Sequence, residues 1–118
     1  MSVRFGIQDN SFFKGYYLPC AKWRNVQIGE FQKQIETLYF ERDKKRGIEG
    51  TFRWFVEEVG ELARAIRKQD RENLELEFSD CLAWLVTLAS LSKIDMEQAI
   101  KRYIKNCPKC NTTPCSCG

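Results

Sequence analysis

Apolar residues recur at spacings of three and four from residue 28 to about residue 106, and the chain's three prolines all lie outside that segment. This spacing puts apolar side chains on one face of a helix, and the alternation typical of strands is absent. Because no proline interrupts the segment, helices can run through it. The sequence therefore predicts an all-α domain over residues 28–106, and a chain of 118 residues has room for one such core.

We predict four helices in this domain. The first ends at Gly47 as its C-cap, and the second begins at Thr51 as its N-cap. Asp70 caps the third helix, about residues 71–91, and Asp95 caps the fourth. The apolar stripe of the second helix comprises Phe52, Phe55, Val59, Leu62, Ala63 and Ile66.

The third predicted helix is apolar around more than half of its circumference between Leu82 and Leu91. A helix of this kind normally lies at the centre of a bundle, where we also place Trp84 and an unreactive Cys81. A four-helix monomer of this size has little interior. We therefore predict a bundle whose helices pair across a homodimer.

The segments on either side of the domain differ in composition from it. Residues 1–27 form an aromatic and basic extension, to which we assign no function. The net charge of +3 arises within residues 1–28, and the rest of the chain is balanced, so a nucleic-acid partner is not expected. No apolar signal segment and no run long enough to span a bilayer is present. We therefore expect a cytoplasmic protein without a membrane partner.

Acidic residues on the second and third helices predict a metal site. Glu58 and Glu61 are three residues apart, as are Glu77 and Asp80, and Glu57 precedes the first pair. Each pair projects from one helix face, and a short connection makes the two helices antiparallel neighbours. The pairs can then converge beside the apolar core, where their repulsion favours a bound cation. Ligation by carboxylates alone selects Mg²⁺, with Mn²⁺ as a substitute.

A solvated helix surface is the alternative interpretation of these acids, with Arg64, Arg67 and Lys68 as partners at i+3 or i+4. Two carboxylate pairs on adjacent helices favour the metal site. The chain has no histidine, so a carboxylate would have to act as any general base there.

EExxE followed after 15 residues by ExxD resembles the signature of the MazG-type all-α nucleoside triphosphate pyrophosphohydrolases. The resemblance covers about residues 28–105, including FQKQIETLYFERDKKRG, TFRWFVEEVGELARAI and EFSDCLAWLVTLASLSKIDMEQAI. It implies a helical dimer or dimer of dimers and Mg²⁺-dependent hydrolysis of NTP or dNTP to the monophosphate and pyrophosphate.

The resemblance also implies roles for individual residues. Glu58, Glu61, Glu77 and Asp80 match the family's metal ligands, and Glu57 fills the first motif position. More than one Mg²⁺ is expected, because four carboxylates and a triphosphate can meet only through cations. Glu61 or Glu57 is the candidate base. The competing hypothesis is a non-catalytic helical dimer with a zinc tail, acting as a nucleic-acid or protein adaptor.

Candidate contacts to the substrate are less specific. Lys101 and Lys105, four apart on the fourth helix, can reach a phosphate tail, and residues 44–46 form a second basic patch. Solvated helix surface is the favoured interpretation of any single one of these residues. Trp54 can stack on a nucleobase or pack at the dimer interface.

The last twelve residues contain four cysteines, Cys107, Cys110, Cys115 and Cys117. Four thiolates suit a closed, tetrahedral zinc site, and the first pair has common zinc spacing. The second pair is closer than usual. We predict structural zinc, with a reduced mobile tail and disulfides as alternatives.

Overall fold

The computed structural model describes residues 25–118. Helix α1 spans Ile28–Lys68, α2 spans Arg71–Leu91 and α3 spans Met96–Ile100, and a 3-10 helix, Lys101–Tyr103, follows directly. No strand occurs in this part of the chain, so the all-α prediction is confirmed. The described residues form three α-helices rather than the predicted four.

The first two predicted helices run together as α1, which consists of two helices joined across a kink at Gly47. The φ of 79° and ψ of 173° at Gly47 are not helical, and essentially only glycine adopts this region. Gly47 therefore interrupts the helix where its C-cap was predicted. Thr51 lies inside α1 and is fully buried, and its hydroxyl accepts a 3.4 Å hydrogen bond from Arg46. The prediction that Thr51 is an N-cap is wrong, because the helix has already resumed.

Both predicted aspartate caps are confirmed. The Asp70 carboxylate accepts a hydrogen bond from the Asn73 amide at 3.3 Å, and the Asp95 carboxylate accepts one from the Glu97 amide at 2.9 Å. Gln69, which has a φ of 55°, and Asp70 are the only residues between α1 and α2. A two-residue connection turns the chain back, so α2 packs along α1.

Buried Gln32 attaches α3 to the first turns of α1. Its amide nitrogen donates to the Ile94 carbonyl at 2.8 Å and to the Ser90 hydroxyl at 3.1 Å. Its amide oxygen accepts from the Met96 backbone at 2.9 Å. A buried amide with these partners fixes where the chain leaves α2. The predicted fourth helix begins there but ends at Ile100, after five residues.

One chain buries few apolar side chains. Within residues 25–118 the buried hydrophobic residues are Ile35, Ala65, Val86 and Ala89. Much of the predicted stripe of α1 stays open, with Phe52 53%, Val59 43% and Ile66 55% exposed. Leu82 and Leu85 of α2 are each 39% exposed, as expected for a helix that is apolar on several sides. The homodimer stays a prediction, which this exposed apolar surface favours.

Two further expectations concern the N-terminal extension and membrane-spanning segments. The predicted extension, residues 1–27, lies outside the described residues apart from residues 25–27. Within residues 25–118, no helix has both the length and the apolar character needed to cross a bilayer.

The bend in α1 makes a testable demand on Gly47. We expect Gly47→Ala to lower the free energy of unfolding by about 1–3 kcal/mol, because alanine is strained at this φ and ψ. An added Cβ meets nothing within 4 Å, so the effect is conformational rather than steric crowding. Urea denaturation followed by circular dichroism measures it.

Gly60→Ala is the matched control. Gly60 is helical, lies between Glu57 and Arg64 on a polar side of α1, and also leaves open space for a Cβ. Alanine there should stabilise the protein by about 0.5–1 kcal/mol. If both variants changed stability in the same direction and by the same amount, the special conformation at Gly47 would be contradicted.

Candidate active site

The structure brings together carboxylates from α1 and α2, as predicted. Glu58 and Glu61 lie one turn apart near the end of α1, and Glu77 and Asp80 lie one turn apart in the first half of α2. Carboxylate oxygens of Glu58, Glu77 and Asp80 all lie within 4.8 Å of one another. Glu61 does not belong to that closest group, but its charge acts on both Glu58 and Glu77. Glu57 is exposed.

Two oxygen atoms in this carboxylate cluster lack partners. Glu58 Oε2 and Glu77 Oε2 are buried, and neither has a hydrogen-bond partner among the described residues. Glu77 as a whole is only 7% exposed. A buried charged oxygen without a partner is costly unless a cation or a proton reaches it.

The three basic residues predicted as partners form no ion pair with these acids. Within residues 25–118, no ion pair joins Arg64, Arg67 or Lys68 to the carboxylate cluster. These three side chains are exposed. The ion pairs that the solvated-surface interpretation predicted are therefore not seen within residues 25–118.

Burial and mutual repulsion shift the titration of the cluster. Burial, followed by the charges of Glu61, Asp80 and Glu77, raises the pKa of Glu58, and a hydrogen bond with Trp84 partly opposes the shift. The pKa of Glu77 is raised by burial first and then by the same kind of repulsion. An unligated cluster of this kind favours protonation, and a cation would remove that tendency.

Half-buried Cys81 follows Asp80 directly, and its thiol responds to the same charges. Burial and the neighbouring carboxylates raise the pKa of Cys81, so the thiol stays protonated. This agrees with the prediction that Cys81 is unreactive.

A pair of tryptophans borders the carboxylates. Trp84 follows Asp80 by one turn of α2, and its ring stacks on Trp54, with centroids 6.0 Å apart and an interplanar angle of 14°. The Arg46 guanidinium lies 4.8 Å from the centroid of the Trp84 ring. Trp84 is half-buried rather than enclosed in the core as predicted, and Trp54 is 47% exposed.

A cavity of about 290 Å³ adjoins the carboxylates, and Asp80 and Trp84 form part of its wall. Asp43, Arg46 and Thr87 line the same cavity. The Thr87 hydroxyl donates to Asp43 Oδ2 at 3.4 Å, and Arg46 pairs with Asp43 Oδ1 at 2.9 Å.

Sequence reasoning missed this polar wall. Asp43 is 5% exposed and Thr87 is 6% exposed. Asp43 follows Ile35 and Tyr39 at intervals of four residues, so it occupies an apolar-stripe position of α1. A charged residue on that stripe, three residues before Arg46, is the signal that could have identified it.

The predicted pairing of Lys101 with Lys105 on one helix is wrong. Helix α3 ends at Ile100, Lys101 begins the 3-10 helix, and Lys105 lies beyond it. The Lys101 ammonium donates to Gln98 Oε1 at 2.8 Å. The hydrogen bonds between Gln32 and residues 94–96 hold this region against the first turns of α1, whereas the carboxylates lie near its end.

The four tail cysteines do converge. The sulfur atoms of Cys107, Cys110, Cys115 and Cys117 all lie within 4.8 Å of one another. Hydrogen bonds with Thr112 and Ser116 lower the pKa of the Cys110 thiol to about 4. The structure therefore contains a second candidate metal site, made of sulfur rather than oxygen.

The raised pKa values predict how the metal-free protein responds to pH. A carboxyl whose folded pKa exceeds its ordinary value of 4.5 destabilises the fold as pH rises through and above that value. Glu77→Gln removes the charge, so at neutral pH its Tm should exceed that of the wild type. The difference should disappear in acid, below the ordinary pKa. Thermal unfolding in EDTA across this range measures it.

Glu75→Gln is the control, because Glu75 is exposed on the same helix. It should give no gain in Tm at neutral pH. A Glu77→Gln variant that is less stable than the wild type at neutral pH, in the absence of metal, would contradict the repulsion described above.

The comparison with protein families identifies one match. The model of the MazG nucleotide pyrophosphohydrolase domain matches residues 46–111. This range includes Glu57, Glu58, Glu61, Glu77 and Asp80 and two of the tail cysteines, Cys107 and Cys110, whereas Asp43 of the cavity wall lies outside it. A search of curated proteins found no match.

Proposed function

The chain belongs to the MazG nucleotide pyrophosphohydrolase domain family, and we propose that it hydrolyses nucleoside triphosphates, NTP or dNTP, to the monophosphate and pyrophosphate with Mg²⁺. The observation that carries this proposal is the carboxylate cluster across α1 and α2, with its two unpartnered buried oxygens. Removal of aberrant nucleotides from the pool is the role that such a reaction would serve.

The donor set fits a hard divalent cation. Glu58, Glu77 and Asp80 offer only carboxylate oxygens, which suit Mg²⁺ and also Mn²⁺. Glu61 lies close enough to repel both Glu58 and Glu77, and it would complete the ligand set. A triphosphate adds about four negative charges, so more than one ion would be needed to bring it to these acids.

The chemistry of the proposed site divides between metal and protein. Bound Mg²⁺ would neutralise phosphate charge and make a coordinated water more acidic. The chain has no histidine, so a carboxylate must accept the proton of the attacking water. Glu61 is the better candidate, because it is half-buried beside the cluster, whereas Glu57 is exposed.

The nucleoside has a candidate position next to the carboxylates. The cavity between Asp80 and Trp84 is lined by both apolar and polar side chains, as small-molecule sites usually are. Trp54 stacks on Trp84 and keeps an exposed surface, which is available to a nucleobase or to a second chain. Within residues 25–118, no ion pair joins Lys101 or Lys105 to the carboxylate cluster. Their contact with a phosphate tail stays a prediction.

A homodimer or a dimer of dimers is the proposed assembly. Two observations support it: the small number of buried apolar residues, and the exposure of Phe52, Leu82 and Leu85 on the two long helices. A second copy would cover these side chains and enclose the nucleotide.

The activity test measures pyrophosphate release from a panel of NTPs and dNTPs, with Mg²⁺ and then with EDTA. We expect release that requires Mg²⁺. Glu61→Gln should lower kcat/KM by at least about 100-fold, because a positioned base contributes at least that much. Circular dichroism should show unchanged helicity in the variant.

Glu49→Gln provides the matched control, since Glu49 is exposed on α1 and lies outside the carboxylate cluster. It should retain wild-type turnover. Full activity in Glu61→Gln would remove this residue from the mechanism. A folded protein that releases no pyrophosphate from any substrate, and binds nucleic acid with steep salt dependence, would replace the enzyme with the adaptor.

The assembly is tested by light scattering on the full chain. We expect a mass at least twice the chain mass of 13.9 kDa. Phe52→Glu, which places a charge on the exposed apolar surface of α1, should shift the protein towards monomer. A wild-type protein that stays monomeric at high concentration would contradict the proposed assembly.

A further inference from the structure

The end of the chain is ordered without an apolar core. None of residues 107–118 is buried, and none is helical. Backbone amides of the segment nevertheless donate hydrogen bonds to the sulfur atoms of Cys110 and Cys115. Hydrophobic burial in these twelve residues is too small to offset the conformational entropy lost on ordering them. Another source of stability is therefore required.

We propose that Cys107, Cys110, Cys115 and Cys117 bind one Zn²⁺ in a closed structural site, which is separate from the carboxylate cluster. With Zn–S bonds of about 2.3 Å, the edge of a regular tetrahedron of sulfurs is about 3.8 Å. Cys110 Sγ and Cys115 Sγ are 3.8 Å apart, and Cys107 Sγ and Cys117 Sγ are 3.9 Å apart. These two opposite edges therefore have the lengths that zinc requires.

The same distances argue against disulfides. Bonded sulfur atoms lie about 2.05 Å apart, and a bridge joins only two of them. All four tail cysteines are free, and each sulfur lies within 4.8 Å of the other three. One centre with four ligands explains this mutual approach, whereas two independent disulfides do not.

The backbone forms the turns that bring the sulfurs together. The Asn111 amide donates to the Cys107 carbonyl at 2.8 Å, and the Cys107 amide donates to the Thr112 carbonyl at 3.1 Å. Asn111 has a φ of 58°, a left-handed conformation that asparagine tolerates well. This tight turn places Cys107 and Cys110 side by side despite the two residues between them.

Amide groups point at the sulfur atoms as well. The Ser116 amide donates to Cys110 Sγ and the Cys117 amide donates to Cys115 Sγ, both at 3.4 Å. Four thiolates around Zn²⁺ carry a net charge of −2, which such donors stabilise. Cys115 and Cys117 are closer in sequence than is common for zinc ligands. This spacing lets the Cys117 amide donate to Cys115 Sγ, which stabilises a thiolate.

The ligand chemistry separates this site from the other. Soft thiolates select zinc, whereas carboxylates select Mg²⁺. Four protein ligands leave no open position for a water or a substrate, so the zinc would be structural. The Thr113 hydroxyl donates to the Lys105 carbonyl at 3.0 Å, which connects the cysteine loop to the segment after the 3-10 helix.

The test is metal analysis of the full chain, purified under reducing conditions without a metal-affinity step. We expect one zinc per chain. Co²⁺ exchanged into the protein should give the intense visible absorption of tetrahedral thiolate ligation. The double variant Cys110→Ser/Cys115→Ser should lose both the zinc and this spectrum while keeping its helicity.

Cys81→Ser is the matched control, because it removes a thiol outside the tail and should retain the full zinc content. Glu61→Gln should also retain it, which distinguishes the outcome from failure of the proposed hydrolase. Three results would overturn the inference: no zinc bound or taken up by the reduced protein, two tail disulfides found by mass, or undiminished zinc in the double variant.

Discussion

The packing of α2 on α1 holds carboxylates close together although they repel one another, and the properties of the candidate site follow from this contact. Glu58, Glu77 and Asp80 approach within 4.8 Å although two of their oxygens are buried and unpartnered. The connection between the helices consists only of Gln69 and Asp70, so the end of α1 and the start of α2 must lie close together. The helices thus hold the acids in a geometry that favours a cation, and the cost is a raised pKa at Glu58 and Glu77.

Hydrophobic burial within one chain contributes little stability to offset this repulsion. Four hydrophobic side chains are buried within residues 25–118, whereas Phe52, Val59 and Ile66 lie half open on α1. Polar contacts do part of the work instead. Asp43 contacts Thr87 of α2 and pairs with Arg46, which also contacts Thr51 beyond the bend in α1. The Gln32 amide joins the start of α1 to Met96 of α3. The exposed apolar surface favours the proposed second copy, and the carboxylate cluster favours a cation.

The sequence predicts local features of this fold better than extended ones. Asp70 and Asp95 cap helices as expected, because a cap depends on a few adjacent residues. Gly47 marks the bend for the same reason. The short length of α3 was not predictable, since the long-range contact between Gln32 and Met96 forms only when the chain folds back on α1. Apolar periodicity likewise cannot say which side of α1 a single chain buries.

Site prediction followed the same division. Pairing at i and i+3 on helices joined by a short turn pointed to Glu58, Glu77 and Asp80, which the structure brings together, and also to Glu61, which lies outside that closest group. It did not point to the cavity wall, because Asp43 and Thr87 meet only when α1 packs on α2. Spacing alone also misplaced Lys105, which needed a longer fourth helix.

The two candidate metal sites differ in what the protein loses without an ion. The carboxylate oxygens are held together by packed helices, so metal-free protein keeps the site and bears its repulsion. The thiols lie in a segment with no buried residue, so no packing would hold them together in the metal-free protein. An open site of hard ligands can release its ion without unfolding, as a reaction centre must. A closed site of soft ligands would instead keep its ion as part of the fold.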